Sequence, residues 1–271
     1  HVGSIRRPGQ PPNPDAPSYA PSSIIHPYLT QQGATEFGMP QPPQEMSIHI
    51  IEKTIEDFAN AALNAKNIGF DGIELHAAHS YLIDQFFWSI TNKRTDKYGG
   101  KTLSERTTFA VELINAIRDK VGHNYPISFR TSLWKFGDFK AQEATTPQEL
   151  EKFVCKIADA GIDLFHCSAH KFHMPLYKSS SLTFAGWVKK LSGIPTMAVG
   201  SVALDNTFPE SFKGEASNMS PITLALQKLY DEEFDMLAIG RPLLADPEWA
   251  LKVRNLEFSK ITPFSTTMLP T

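Results

Sequence analysis

The stretch SIHIIEKTIEDFANAALNAKNIGFDGIELHA, residues 47–77, contains an amphipathic helix followed by an apolar strand. Ser47 can accept a hydrogen bond from the free N–H groups at the start of that helix. Apolar residues then recur at the spacing of one helix face, and Gly69 suits the left-handed backbone that ends many helices. The strand is predicted from Phe70 to Ala77. This stretch therefore predicts one helix–strand unit of an α/β fold.

The same unit recurs from this point to the end of the chain. Thr102 and Thr146 are each followed three residues later by a glutamate, and such capping boxes mark helix starts. Each predicted strand is an almost continuous apolar run, as expected when helices cover a parallel sheet. The predicted strands cover residues 70–77, 126–132, 162–169, 194–199 and 235–239, and the predicted helices begin near residues 47, 102, 146, 184, 220 and 246. In the helix that begins near residue 220, the residues expected to face inward are Ile222, Ala225, Leu226 and Leu229.

Five parallel strands fit either an open doubly wound sheet or part of an eight-stranded barrel. No GxGxxG motif follows any of these strands, which counts against a dinucleotide site of the Rossmann type. The periodicity by itself leaves both architectures open.

The composition excludes several classes of protein. The 271 residues carry a formal net charge of −3 without a run of lysine or arginine, so neither nucleic acid nor a membrane surface is an expected partner. No apolar run is long enough to span a bilayer. Cys155 and Cys167 are too few for a zinc site or an iron–sulfur cluster, so no metal is expected. The low cysteine content favours a reducing, cytoplasmic setting.

The candidate catalytic residues follow the first predicted strand. Glu74 and His76 share one face of that strand, and His79 and Tyr81 lie just beyond its C-terminal end. In a βα barrel this end carries the catalytic groups. Two imidazoles can donate hydrogen bonds to one oxygen, Glu74 could orient His76, and a phenol is protonated at neutral pH and suits a general acid. A buried histidine with a purely structural role is the alternative interpretation.

Three motifs in this region resemble the Old Yellow Enzyme family of FMN-dependent ene-reductases, which are (β/α)8 barrels. They are FDGIELH at Phe70–His76, YLIDQF at Tyr81–Phe86 and NKRTDKYGG at Asn92–Gly100. The resemblance implies that His76 and His79 bind the carbonyl oxygen of the substrate and that Tyr81 protonates carbon. The sequence departs from the family pattern at Ser80, where glycine is usual, and at Lys101, where serine is common.

The cofactor-binding candidates lie at the ends of three later strands. Arg130 could form a salt bridge at a barrel end, whereas the resemblance implies that it lies beside the pyrimidine edge of the flavin and stabilises the negative charge of the reduced ring. Glycines at two successive strand ends let backbone N–H groups approach an anion, and barrels often bind phosphate after their last two strands. The resemblance assigns these residues to the FMN phosphate: Gly200, Ser201, Gly240 and Arg241.

The resemblance extends from His1 to about Asn255 and makes the five predicted strands the fourth to eighth strands of a TIM barrel. Residues 1–46 are then a Pro-rich active-site loop after the third strand, whose end is matched by His1–Gly3. Residues 47–256 form a partial FMN-binding barrel, and residues 257–271 are a C-terminal tail. The open edges of such a partial barrel predict self-association.

The implied activity is the reduction of the C=C bond of an enone or enal, with FMN as cofactor and NAD(P)H as electron donor. Two alternatives remain at this stage. One is a TIM-barrel enzyme that uses the same phosphate loops for a phosphorylated substrate and binds no flavin. The other is a truncated, non-catalytic paralogue. A flavin absorbance spectrum would exclude the first.

Overall fold

Helix α2 (Ile48–Asn67) leads into strand β3 (Ile73–Ala77) as the sequence predicts. The hydroxyl of Ser47 accepts a hydrogen bond from the N–H of Ile50 at 3.2 Å, and Gly69 follows the helix with a φ of 95°. The strand is shorter than the predicted Phe70–Ala77, because the chain is still turning out of the helix at Phe70, whose N–H donates to the Ala65 carbonyl.

The computed structural model describes residues 17–33, 39–212 and 217–268. The chain divides into two units, the first made of His1–Phe165 with Lys190–Ile194 and the second of His166–Lys189 with Pro195–Thr271. The domain limits at residues 46 and 256 stay predictions.

The first unit packs helices against parallel strands. β3 pairs in parallel with β4 (Ile127–Ser132), with Ile73 opposite Ile127 and His76 opposite Arg130. Helices α2 and α4 (Thr108–Val121) pack against each other on this unit. The elements of the first unit are β1 (Tyr19–Ala20), α1 (Pro27–Gln32), β2 (Gln44–Glu45), α2, β3, α3 (Leu82–Phe87), α4, β4 and α5 (Pro147–Asp159).

Both predicted capping boxes are present. The N–H of Glu105 donates to Thr102 Oγ1 at 3.2 Å and the Glu105 carboxylate accepts from the N–H of Thr102 at 2.8 Å, at the start of a 3₁₀ turn that continues into α4. Thr146 and Glu149 form the same reciprocal pair at α5. Local side-chain chemistry therefore fixes the start of α5, whereas α4 begins only at Thr108, later than the predicted start near residue 102 and without a side-chain cap at Thr107.

The N-terminal segment contains more structure than the predicted loop. Within the described part of residues 1–46, β1 and β2 pair in parallel, and α1 lies between them. Pro27 occupies the first helical position, and the His26 side chain caps the helix by accepting from the N–H of Tyr28. The segment predicted as a long loop thus contains one short helix, α1, whereas His1–Gly3 lies outside the described residues.

The second unit repeats the parallel arrangement. β6 (Thr196–Val199) pairs with β7 (Met236–Leu237), which is shorter than the predicted 235–239 because the backbone turns at Gly240. Helix α8 (Thr223–Tyr230) buries Ala225 but leaves Leu226 44% exposed, so the prediction that Leu226 faces inward is wrong. The remaining elements are α7 (Phe208–Phe212), α9 (Arg241–Ala245) and α10 (Trp249–Arg254), and the boundary between the units is crossed by β5 (Leu164–Ser168) and α6 (Phe184–Ser192).

Successive strands lie beside one another in chain order. In the first unit the N–H of Asp163, just before β5, donates to the Ile127 carbonyl of β4 at 2.9 Å. In the second unit the N–H of Ala169, just after β5, donates to the Val199 carbonyl of β6 at 2.9 Å. This order is typical of consecutive βα units. No helix in the described ranges combines the length and hydrophobicity that a membrane crossing needs.

Candidate active site

The three predicted catalytic side chains gather at the C-terminal end of β3. The ring of His76 lies 5.3 Å from that of His79 and 5.0 Å from that of Tyr81, measured between centroids. Tyr81 is 42% exposed, whereas both histidines are half-buried. Two hydrogen-bond donors and a proton donor therefore face the same small region.

The backbone that carries these groups makes an unusual turn. His79 and Ser80 have φ values of 58° and 64°, so two consecutive residues other than glycine adopt the left-handed conformation. The N–H of His79 donates to Ser132 Oγ at 3.0 Å, and the N–H of Ser80 donates to Asp84 Oδ2 at 2.7 Å. Gln85 Nε2 donates to the Ser80 carbonyl at 2.7 Å. Side chains from α3 and from the end of β4 thus hold the turn.

An aromatic wall continues from His79. The ring of Trp134 stacks on that of His79, with centroids 4.3 Å apart and an interplanar angle of 26°. The ring centroids of Phe136 and Phe139 lie 6.0 and 5.7 Å from the ring centroid of Trp134. From the sequence these aromatic residues could equally line a substrate pocket or cover the core, and the structure places Trp134 directly beside a candidate catalytic histidine.

Arg130 lies on β4 opposite His76. Its Nε is buried and has no hydrogen-bond partner within the described residues. Burial lowers the pKa of the guanidinium, and the charge of Glu74 opposes that effect. The Glu74 carboxylate itself accepts a hydrogen bond from Ser128 Oγ at 2.9 Å. A half-buried cation with an unsatisfied N–H group is suited to an electron-rich or anionic ligand.

The other cofactor-binding candidates lie in the second unit, where Arg241 is buried to 8% exposure. Its guanidinium donates to the side chain and the carbonyl of Asn206, at 2.9 and 2.8 Å, and to Ser211 Oγ. It also lies 3.4 Å from Ser201 Oγ. Burial lowers the pKa of Arg241, whereas the charges of Glu210 and Asp205 raise it. Hydroxyl and amide groups therefore fix the position of the guanidinium.

The two glycines of this region differ in their surroundings. A Cβ atom added to Gly200 would lie 2.2 Å from the Ala169 carbonyl, so close packing of the backbone already requires glycine there. A Cβ atom added to Gly240 would meet nothing within 4 Å. The space beside Gly240 is open, as the approach of a phosphate to the backbone would need.

Two residues of the first unit escaped the sequence analysis. Lys135 and Asp84 form a buried ion pair, with side chains 1% and 0% exposed. The available signal was the carboxylate of Asp84 inside the apolar run Leu82–Phe87, because a buried charge needs a partner.

The sequence model of the NADH:flavin oxidoreductase / NADH oxidase family matches residues 13–257. The chain is 37% identical over 220 residues to the NADH oxidase of Thermoanaerobacter brockii, which covers 78% of this chain and 30% of that protein. It is 31% identical to the NADPH dehydrogenase of Geobacillus thermodenitrificans, over 86% of this chain and 61% of the relative. It is also 29% identical to the cinnamate reductase of Clostridium sporogenes, over 90% of this chain and 36% of that protein.

The structure of morphinone reductase superposes with a TM-score of 0.69 at 22% identity, covering 94% of this chain and 63% of that chain. This likeness confirms the expected class of fold, a TIM barrel of which the chain spans only a part. The chain likewise spans less than two thirds of each of the three curated relatives named above. Membership in the matched family implies FMN as cofactor and NAD(P)H as electron donor. The chain belongs to the NADH:flavin oxidoreductase / NADH oxidase family, and its motifs are those of the Old Yellow Enzymes.

Proposed function

We propose that this chain carries the catalytic groups of an oxidoreductase that reduces the C=C bond of α,β-unsaturated carbonyl compounds. The observation that carries the proposal is the cluster of His76, His79 and Tyr81 at the C-terminal end of β3. The name of one relative, cinnamate reductase, supports a substrate in which a C=C bond is conjugated to a carbonyl group. The free thiols of Cys155 and Cys167 support a cytoplasmic location.

The two histidines bind and polarise the substrate. Each neutral imidazole has one N–H, so His76 and His79 together can donate two hydrogen bonds to the carbonyl oxygen. Negative charge builds on that oxygen as the double bond is reduced, and fixed donors stabilise the charge as it develops. Bound FMN would supply the hydride for the β-carbon after its own reduction by NAD(P)H.

Tyr81 acts after the substrate has gained negative charge. Its ring lies beside His76 and its side chain is accessible, so its hydroxyl can reach a substrate whose oxygen is held by the histidines. Protonation of the α-carbon by this phenol completes the reduction. The phenol has no part in the earlier transfer of electrons from NAD(P)H.

Each unit contains its own candidate residues for FMN. In the first unit Arg130, with its unsatisfied Nε, is suited to the electron-rich pyrimidine edge of a flavin. In the second unit a fixed guanidinium and an open approach to the backbone are suited to a phosphate; the residues are Gly200, Ser201, Gly240 and Arg241.

The test is the variant Tyr81→Phe in the flavin-loaded protein. General acid catalysis contributes about 10²–10⁴-fold, so reoxidation of the reduced flavin by an enone should slow by that factor. Reduction of the flavin by NAD(P)H should be unchanged, because the phenol acts only in the second half-reaction. Stopped-flow absorbance measures the two halves separately.

A matched control is Tyr230→Phe, which removes a hydroxyl from a side chain that is 84% exposed. This control should leave both halves unchanged. Equal slowing of both half-reactions in Tyr81→Phe, or no slowing in either, would refute the assignment. A protein that binds no flavin would refute the function itself.

A further inference from the structure

We infer that Asp84 and Lys135 are positioning residues for His79 and Tyr81, and that together with Ser132 they hold the turn on which the proposed chemistry depends. The inference rests on the proposed function for its kinetic consequences. Among the described residues, neither charged side chain is hydrogen-bonded to the side chain of His76, His79 or Tyr81, so both act through the turn and not on the substrate.

The turn after β3 has a backbone conformation that its residue types disfavour. The left-handed conformation is unfavourable for residues with a Cβ atom, and here His79 and Ser80 adopt it in succession. A turn of this kind persists only when its surroundings determine it. The direction in which His79 projects therefore depends on the contacts that hold the turn.

The side chains of Asp84 and Ser132 supply contacts that hold the turn. Each oxygen of the Asp84 carboxylate accepts a hydrogen bond. Oδ2 accepts from the N–H of Ser80 at 2.7 Å, and Oδ1 accepts from Lys135 Nζ. Ser132 Oγ accepts from the N–H of His79 at 3.0 Å and donates to the Trp134 carbonyl at 2.9 Å. The turn after β3 is thereby tied to the segment after β4, which also carries the ring stacked on His79.

The charge of Lys135 compensates the buried charge of Asp84. The Asp84 side chain is fully buried, and burial raises the pKa of its carboxyl while the nearby Lys135 lowers it and Glu143 raises it. Removal of Lys135 would leave the buried Asp84 carboxylate without its cation. The carboxylate would then take up a proton or change its position. Either response changes the acceptor that holds the N–H of Ser80.

The main experiment uses Lys135→Met and Asp84→Asn in the flavin-loaded protein. Both variants should slow reoxidation of the flavin by an enone at least about tenfold, the loss that a misplacement near 1 Å can exceed. Reduction by NAD(P)H should stay unchanged. The affinity for a simple phenol, measured by titration of the flavin spectrum, should fall together with the reoxidation rate.

A second variant covers the case in which the buried pair cannot be changed without unfolding. Ser132→Ala removes one hydroxyl and should lower phenol affinity severalfold. The ¹³Cε1–¹H NMR signal of the His79 imidazole should shift in this variant without any ligand, which is a readout independent of turnover. Lys228→Met is the matched control, since it breaks the half-buried pair with Glu233 in the second unit and should lower stability alone.

The result that overturns the inference is a set of Asp84 and Ser132 variants with wild-type phenol affinity, His79 signal and reoxidation rate. Failure of the proposed function is distinguishable from this outcome. In that case Tyr81→Phe itself would show no selective loss, whatever the positioning variants do.

Discussion

His76 and His79 are the residues whose role depends most directly on geometry. Their rings lie 5.3 Å apart at the end of β3, close enough for both to donate to one oxygen atom. Arg130 stands opposite His76 in the strand register, so the candidate oxygen site and the cation belong to adjacent strands. The proposed binding of the substrate oxygen and of the flavin therefore depends on three side chains carried by two adjacent strands.

The double variant His76→Ala/His79→Ala should bind phenol-type ligands more weakly, because the ligand oxygen loses both donors. Each lost donor should cost about 1–3 kcal/mol when the oxygen is left unpaired in a buried site. Titration of the flavin spectrum measures the affinity. His49→Ala, an exposed histidine on α2, is the control and should have no effect. Unchanged affinity in the double variant would mean that the oxygen is bound elsewhere.

Helix α1 shows how one buried histidine supports an element. His26 is fully buried, its Nδ1 accepts from the N–H of Tyr28, and its ring packs edge-on against Trp88. Burial lowers the pKa of His26 to about 4. The helix therefore depends on the neutral form of its cap, because a protonated ring could not accept that hydrogen bond.

This dependence predicts acid destabilisation at the level of the element. The pKa of His26 is lower in the folded state than the ordinary 6.5, so the unfolded state binds more protons and stability falls as the pH drops from 6.5 towards 4. The loss attributable to His26 should not exceed about 3 kcal/mol. His26→Asn keeps an acceptor that does not titrate and should remove this part of the pH dependence in urea unfolding.

His123→Asn, at an exposed position, is the control for the His26 variant and should leave the pH dependence as it is. A His26→Asn protein that loses stability between pH 6.5 and 4 as steeply as the wild type would contradict the prediction.

Several large apolar side chains of the second unit are exposed. On α8, Leu226 is 44% and Tyr230 is 84% exposed, and Leu244 on α9 is 58% exposed. Leu226 and Tyr230 are four residues apart on one helix face, and exposed apolar groups of this kind favour association.

We predict that the 271-residue chain self-associates in a concentration-dependent manner. The double variant Leu226→Lys/Tyr230→Lys should shift the equilibrium towards the monomer, because two charges on α8 disfavour burial of that face. Sedimentation velocity across a range of concentrations measures the distribution. Met39→Lys/Ile68→Lys, which adds the same two charges at exposed positions of the first unit, is the control. A wild-type chain that stays monomeric at every concentration would contradict the prediction.

The sequence by itself determined the parts of this protein that follow from local chemistry. Ser47 and the pair of Thr146 and Glu149 set helix starts, because a side-chain acceptor a few residues from the free N–H groups needs no distant partner. The alternation of helices and apolar strands predicted the α/β class. The motif around His76 predicted that the candidate catalytic residues lie together, since they are close in the chain and at one strand end.

Only the tertiary structure decided what depends on residues far apart in the chain. Helix α3 was not predicted, because all six of its residues are buried and it lacks the polar face that marks a helix in sequence. Asp84 and Lys135 are 51 positions apart, so neither signals the other until β3 and β4 bring together the segments that follow them. The exposure of Leu226 likewise depends on what packs over α8. Sequence periodicity reports local spacing, whereas burial and ion pairing are set by neighbours that only the fold supplies.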